Sequence, residues 1–352
     1  MKHTDIRKAP SAATDSPIAN IMPEVSVAMS VYNGERFLAP AIESVLSQTY
    51  TNFEFLILDD GSKDQTAAII EAYAARDSRI RPIIRENRGL VASLNQLIAQ
   101  SRAPLIARMD ADDICLPERF AKQLAFLDAH PEFGVIGSRT YDIDDKDQII
   151  EMHLPPHPET HEEFLAAIDH GALLLCHPSV MYRRDVVLAV GGYHAAFKHC
   201  EDLDLWLRLA SCTRLGNLPD RLIRYRHYPE QVSSRHATVQ QIGAAIARLA
   251  YYERMAGNAD PTEKLENLPP IAALDSVFKR NGVAQQLRAT VAHGLKHSLA
   301  ALRDEGFTII QRHLRDGGSR KGMWRTVARL VKYGEPIRAL RLCFTLLTTK
   351  AL

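Results

Sequence analysis

Four short apolar runs alternate with three amphipathic stretches between Val25 and Met109, and no other feature narrows the fold of this chain as far. Val25–Tyr32, Phe53–Leu58, Ile80–Arg85 and Pro104–Met109 have the length and β-rich content of strands. Arg36–Gln48 sets Phe37, Leu38, Ala41, Ile42, Val45 and Leu46 at helical spacing. Ser62 and Gln65 form an S-x-x-Q capping box that predicts a helix to about Arg76, and Leu90–Gln100 predicts a third. Strands that return through helices lie side by side in one direction, so the alternation implies an α/β domain with a mostly parallel sheet covered by helices.

Downstream the pattern is mixed. Pro117, at a helix N1 position, opens a predicted helix to His130, and Gly134–Asp142 with Gln148–His153 reads as a hairpin around Asp144-Asp145-Lys146-Asp147. His153, His157 and His161 recur every four residues, but Pro155, Pro156 and Pro158 would interrupt a continuous helix, so this stretch reads as a solvated loop. Beyond Gln240, Gln241–Met255, Val283–Arg303 and Met323–Leu347 read as mainly helical. The organisation expected is a disordered lead-in over 1–22, an α/β domain over 23–240 and a helical C-terminal region over 241–352 with a basic amphipathic tail.

The net charge of +1 hides an asymmetry: from Lys279 onward there are 15 Lys/Arg against 4 Asp/Glu, a net of +11, which leaves −10 on the rest. An acidic body and a basic tail suit different partners. Met323, Trp324, Val327, Leu330 and Val331 line one helical face near Arg325, Arg329 and Lys332, and Arg338 and Arg341 continue past Pro336. Such a tail either lies on an anionic membrane surface or packs on the α/β domain with its cations solvated. No nucleic-acid motif accompanies the charge, so no nucleic-acid partner is expected. The five cysteines are odd in number and never spaced CxxC, which fits a reducing compartment rather than disulfides or zinc. With no apolar run of about 18 residues and no signal-peptide pattern, the expected location is cytoplasmic, with peripheral contact on the inner face of the membrane as a second reading.

Three acidic clusters fall at element ends: Asp59-Asp60, Asp110-Ala111-Asp112-Asp113 and Glu201-Asp202. The first two close apolar strands, and in an open α/β sheet the crevice beyond the strand ends takes the ligand. An Asp pair alone is also an ordinary turn. Alternating carboxylates straight after a strand suit a divalent ion, which takes one or two protein carboxylates and completes its shell with phosphate and water. Asp202 precedes Leu203, Trp206, Leu207 and Ala210, one buried helical face, and is either an N-cap or a general base aimed by that helix. There is no G-x-G-x-x-G after the first strand and no G-x-x-x-x-G-K-[ST], so dinucleotide and P-loop chemistry lack their signatures.

The ordered set VSVAMSVYNGERFLAPAIESVLSQTYTNFEFLILDDGSKDQT, RMDADDICLPERF, HPSVMYRRDVVLAVGGYHAAFKHCEDLDLWLRLA and YRHYPEQVS resembles family-2 glycosyltransferases over about residues 24–235. The resemblance implies a GT-A, Rossmann-like fold, an inverting mechanism and a nucleotide-sugar donor, UDP-linked by preference. It implies Ser30, Tyr32 and Asp60 in the nucleotide pocket, with Tyr32 on the base and Asp60 accepting from an imide N–H. Asp112 then resembles the metal ligand for Mn²⁺ or Mg²⁺, Asp110 contacts the ribose or a metal-bound water, Asp113 supports the turn, and Asp202 matches the catalytic base. Arg88 and Asn95 are candidates for the diphosphate side, and His227 for the metal or diphosphate, with a structural role as its alternative. The acceptor expected is a hydroxyl of a glycan or lipid-linked sugar in surface-polysaccharide or lipopolysaccharide assembly. The rival functions are a sugar-1-phosphate nucleotidyltransferase, which would carry a Gly-rich basic loop where Tyr32-Asn33-Gly34-Glu35 stands, and a catalytically degenerate sugar-nucleotide-binding protein.

Overall fold

The computed structural model describes residues 22–152, 157–168, 174–228, 236–298, 302–303 and 305–349. The lead-in up to residue 21 and His153 lie outside them. Strands β1 (Val25–Val31), β2 (Phe53–Asp59), β3 (Ile80–Ile84) and β4 (Leu105–Asp110) alternate with helices α1 (Leu38–Leu46), α2 (Thr66–Ala74) and α3 (Leu90–Gln100). β1 pairs in parallel with β2 and β4, and β2 with β3. All of β2 and nearly all of β1 are buried because helices cover both faces of the sheet, which is why these strands read as continuous apolar runs.

The second half adds β5 (Ile114–Cys115), α4 (Arg119–Ala129), β6 (Phe133–Ile143), α5 (His161–Ala167), β7 (Met181–Arg183), α6 (Arg184–Ala189), α7 (Glu201–Leu209) and β8 (Arg214–Arg226). The eight strands run in the order β3-β2-β1-β4-β7-β6-β8-β5. β7 is antiparallel to both β4 and β6, while β6 and β8 run parallel. The chain reverses its direction of travel across the sheet between β1 and β4, so their C-terminal ends border the crevice where ligands enter such sheets.

Alternation along the strands splits the core. Ala28, Leu56 and Ile106 face one cluster, and Val27, Phe55, Ile57 and Ala107 face the other, against α1 and α4. The first cluster runs on without a break through Trp206 into α8 (Ala237–Met255), α9 (Leu274–Val277), α10 (Val283–Leu295), α11 (Gly306–Arg315), α12 (Met323–Lys332) and α13 (Pro336–Thr348). Gly243 makes this close approach workable: a Cβ there would stand 2.2 Å from Cys200 Sγ, so only a glycine lets α8 lie against the start of α7.

Three local expectations are corrected. Ser62 does not cap α2; its hydroxyl accepts the Asn33 N–H at 2.8 Å, and Asp64 takes the Thr66 N–H at 3.0 Å instead. The hairpin partner of β6 shrinks to an Ile143–Ile149 bridge and an Ile150 N–H to Asp142 carbonyl bond, because β6 satisfies its backbone on β7 and β8. The histidine stretch is not all loop. Once past Pro158, Thr160 and Glu163 form a capping box that starts α5 at His161.

Candidate active site

β1 and β4 bring Ser30 directly opposite Asp110, at the strand ends that flank the crevice. Tyr32, one residue beyond β1, is 52% exposed beside it. The loops after β1 and β2 are latched together: Lys63 N–H donates to Asn33 Oδ1, Gly34 N–H to Thr66 Oγ1, and Glu35 N–H to Asp64. This latch fixes the crevice rim without any ligand.

Asp60 lies at the base of that rim and is buried. Its Oδ1 accepts the Arg88 N–H at 2.9 Å and meets Arg85 Nη2 at 2.9 Å, while Oδ2 accepts the Gly89 N–H at 2.8 Å. The carboxylate thereby shapes the 85–89 loop. Gly61, at φ +80°, permits the same approach, since a Cβ would sit 2.6 Å from the Asn87 nitrogen. The Arg88 guanidinium is exposed on this loop. Asn95 has a different place: its amide donates to the Tyr193 carbonyl and accepts the Tyr193 N–H, both at 2.8 Å, and so pins the 191–193 turn to α3.

The second acidic cluster is crowded rather than satisfied. Asp110, Asp112 and Asp113 offer oxygens that all lie within 4.8 Å of one another. Beneath them, Arg108 is buried and grips both oxygens of Asp110 with its two terminal nitrogens. Burial works against the Arg108 charge, but Asp110, with Tyr193 and Asp113, outweighs it, so the guanidinium stays ionised. Burial, then Asp110, pushes Asp112 up to about 6, with the Tyr228 hydroxyl donating to its Oδ2 at 2.9 Å against that trend. Asp113 is raised well above the usual carboxylate range by burial and by Asp112. Its Oδ1 accepts the Arg226 N–H at 2.8 Å, but its buried Oδ2 has no hydrogen-bond partner.

An orphaned buried oxygen among three mutually repelling carboxylates fits a hard divalent cation, for which oxygen donors are the natural set. Arg226 holds this turn from behind. It is buried, donates from Nε to the Asp112 carbonyl at 2.6 Å, pairs with Asp147 at 2.6 Å and stacks over Phe37 at 4.3 Å. The neighbouring His227 has its Nε2 2.8 Å from Asp142 Oδ1.

The third cluster opens α7. Asp202 is not the N-cap, a position held by Cys200, and its Oδ1 accepts the next backbone N–H, of Leu203, at 2.7 Å. Burial raises its proton affinity, Asp110 adds to that, and Arg108 opposes it. Burial and then Asp202 push the adjoining Glu201 up to about 7. Arg108 therefore acts electrostatically on both Asp110 and Asp202. Trp206 on the same helix is core, 1% exposed.

Sequence reasoning missed Arg108, Arg226 and Tyr228. For Arg108 a signal existed: it is the one charged residue inside the apolar run Pro104–Met109 and shares a strand face with Asp110, two residues on. Arg226 and Tyr228 carried no such signal, because the acidic turn they hold stands more than 100 positions earlier.

The profile of glycosyl transferase family 2 matches residues 26–191. EpsE of Bacillus subtilis, named as a glycosyltransferase, is 37% identical over 224 residues, which cover 62% of this chain and 78% of EpsE. AmsE of Erwinia amylovora, an amylovoran biosynthesis glycosyltransferase, is 32% identical over 217 residues, covering 60% of this chain and 79% of AmsE. WbnJ of Escherichia coli, an O-antigen biosynthesis glycosyltransferase, is 29% identical over 238 residues, covering 66% and 86%. Among solved structures, S. aureus TarS 1-349 in complex with UDP has the same fold, GT-A, with a TM-score of 0.53 at 17% identity over 92% of this chain and 88% of that one.

Proposed function

The chain belongs to glycosyltransferase family 2, and from that premise we propose that it moves a sugar from a nucleoside diphosphate, UDP by preference, to a hydroxyl of a glycan or lipid-linked acceptor with inversion at the anomeric carbon. The observation that carries this reading is the crowded triad Asp110, Asp112 and Asp113 over the buried Arg108, whose charge also acts on Asp202. The triad suits a divalent ion with a diphosphate. Asp202 presents a carboxylate with raised proton affinity, close to an acceptor.

In this scheme Ser30, Tyr32 and the loop shaped by Asp60 receive the nucleoside, with the exposed Tyr32 ring stacking on the base and exposed Arg88 beside the diphosphate. Asp110 and Asp112, with Asp113 behind them, hold Mn²⁺ or Mg²⁺. When bound, such an ion supplies a Lewis acid for the departing diphosphate. Asp202 accepts the proton of the acceptor hydroxyl as that oxygen attacks the face opposite the leaving group, and the rigid start of α7 aims it. Its raised proton affinity suits the task, since a carboxylate that binds protons more tightly is the stronger base. Arg108 holds Asp110 in place through both of its oxygens. Asn95 and His227 act by positioning, through Tyr193 and Asp142 respectively. Residues 23–240 form the catalytic part and 241–352 the extension. The names of AmsE and WbnJ support an acceptor in surface-polysaccharide assembly.

A thermal-shift panel of nucleotide sugars with and without Mn²⁺ tests the proposal. One donor should raise the melting temperature only with the metal. A panel with no metal-dependent stabilisation would contradict the reading.

A further inference from the structure

Helix α13 is apolar on two opposite sides. Ala339, Leu342 and Leu346 are buried against the fold, whereas Ile337, Leu340, Phe344 and Leu347 are 67%, 71%, 68% and 71% exposed. At 100° per residue those four fall in one stripe about 80° wide. Trp324 and Val331, two helical turns apart on α12, add a second exposed row on the hairpin that α12 and α13 form. Soluble monomers scatter their exposed apolar side chains, and a collected set marks a contact surface.

The charge around these rows identifies what covers them. Arg325, Lys332 and Arg341 are exposed, and none has an ion pair among the described residues. The single carboxylate between Met323 and Thr349, Glu335, is already held by Arg303 and Arg338. A second copy of this chain packed symmetrically on the hairpin would set these cations against themselves. Anionic headgroups above an acyl layer match both the apolar stripe and the cations around it. No helix of the described residues is long and apolar enough to cross a membrane, so such contact lies along the surface.

We propose that the α12–α13 hairpin docks flat on an anionic lipid bilayer, with Ile337, Leu340, Phe344 and Leu347 entering the acyl boundary and Trp324 at headgroup level. This surface is independent of the donor and of sugar transfer, and its test needs neither. The full chain is sedimented with vesicles of phosphatidylcholine alone or mixed with phosphatidylglycerol. It should bind the mixed vesicles at least about tenfold more tightly, and raised salt should weaken that binding. The double variant Leu340→Glu/Phe344→Glu should lose binding about tenfold or more while keeping its melting temperature. Independently, Arg325→Gln/Lys332→Gln/Arg341→Gln should lose roughly fivefold per cation. Equal binding to neutral and anionic vesicles, no binding to either, or wild-type binding by both variants would overturn the proposal. So would a lipid-free dimer that the apolar variant dissociates.

Discussion

Asp59-Asp60 and Asp110-Asp112-Asp113 have the same signature, carboxylates straight after a buried apolar strand, yet they end in opposite states. Every oxygen of Asp60 is occupied, by two backbone N–H groups and by Arg85, so that side chain builds a loop. At the second turn the carboxylates crowd one another, hold protons above the ordinary range at Asp112 and Asp113, and leave Asp113 Oδ2 without a partner. Satisfaction separates the two. A filled carboxylate shapes the backbone, whereas an unfilled, repelling group is where a ligand gains binding energy.

The largest expected effect lies beside the unsatisfied turn. Asp202→Asn should lower kcat by about 10²–10⁴ while donor affinity stays near wild type, as read by steady-state kinetics and calorimetry. Normal turnover would remove Asp202 from the reaction. At the satisfied turn, Asp60→Ala should cost about 3 kcal/mol in denaturant unfolding, because it removes the counter-charge of Arg85 and strands two backbone N–H groups; a loss below about 1 kcal/mol would place Asp60 on the poised side of the contrast.

A smaller effect concerns pH. Asp112 sits at about 6 in the fold against an ordinary 3.8, so the stability it contributes is complete below pH 4 and lost as pH rises through 6. Metal-free Asp112→Asn should therefore gain about 2 kcal/mol on wild type between pH 4.5 and 7.5, read from paired melts. A variant whose offset ignores pH would mean the turn is not strained by charge. Smallest of all, Tyr228→Phe should cost about 1 kcal/mol and move the acidic limb of the activity profile upward, since Asp112 loses a hydrogen bond that favours its ionised form.

The first four strands and three helices were legible because both faces of that sheet are covered, and burial writes continuous apolar runs into the sequence. β8 was not. Its segment RLGNLPDRLIRYR carries Gly, Pro and alternating charge, and its place depends on β6, some 80 residues earlier. The acidic turns were legible as positions but not as states. Whether Asp60 is filled depends on Arg85 and the 88–89 backbone, and nothing local to Asp59-Asp60 encodes that. The anchoring of Asn95 was hidden for a similar reason: its amide, in the middle of α3, is held by Tyr193, almost 100 residues later.

The contrast between the two turns is tested most directly by titrating the nucleoside diphosphate selected in the thermal panel into the wild-type chain and Asp112→Asn, with and without Mn²⁺, by calorimetry. The account predicts that metal tightens wild-type binding by at least about tenfold and leaves the variant unchanged. Metal-independent binding by the wild type, or an equal metal effect in both proteins, would contradict it.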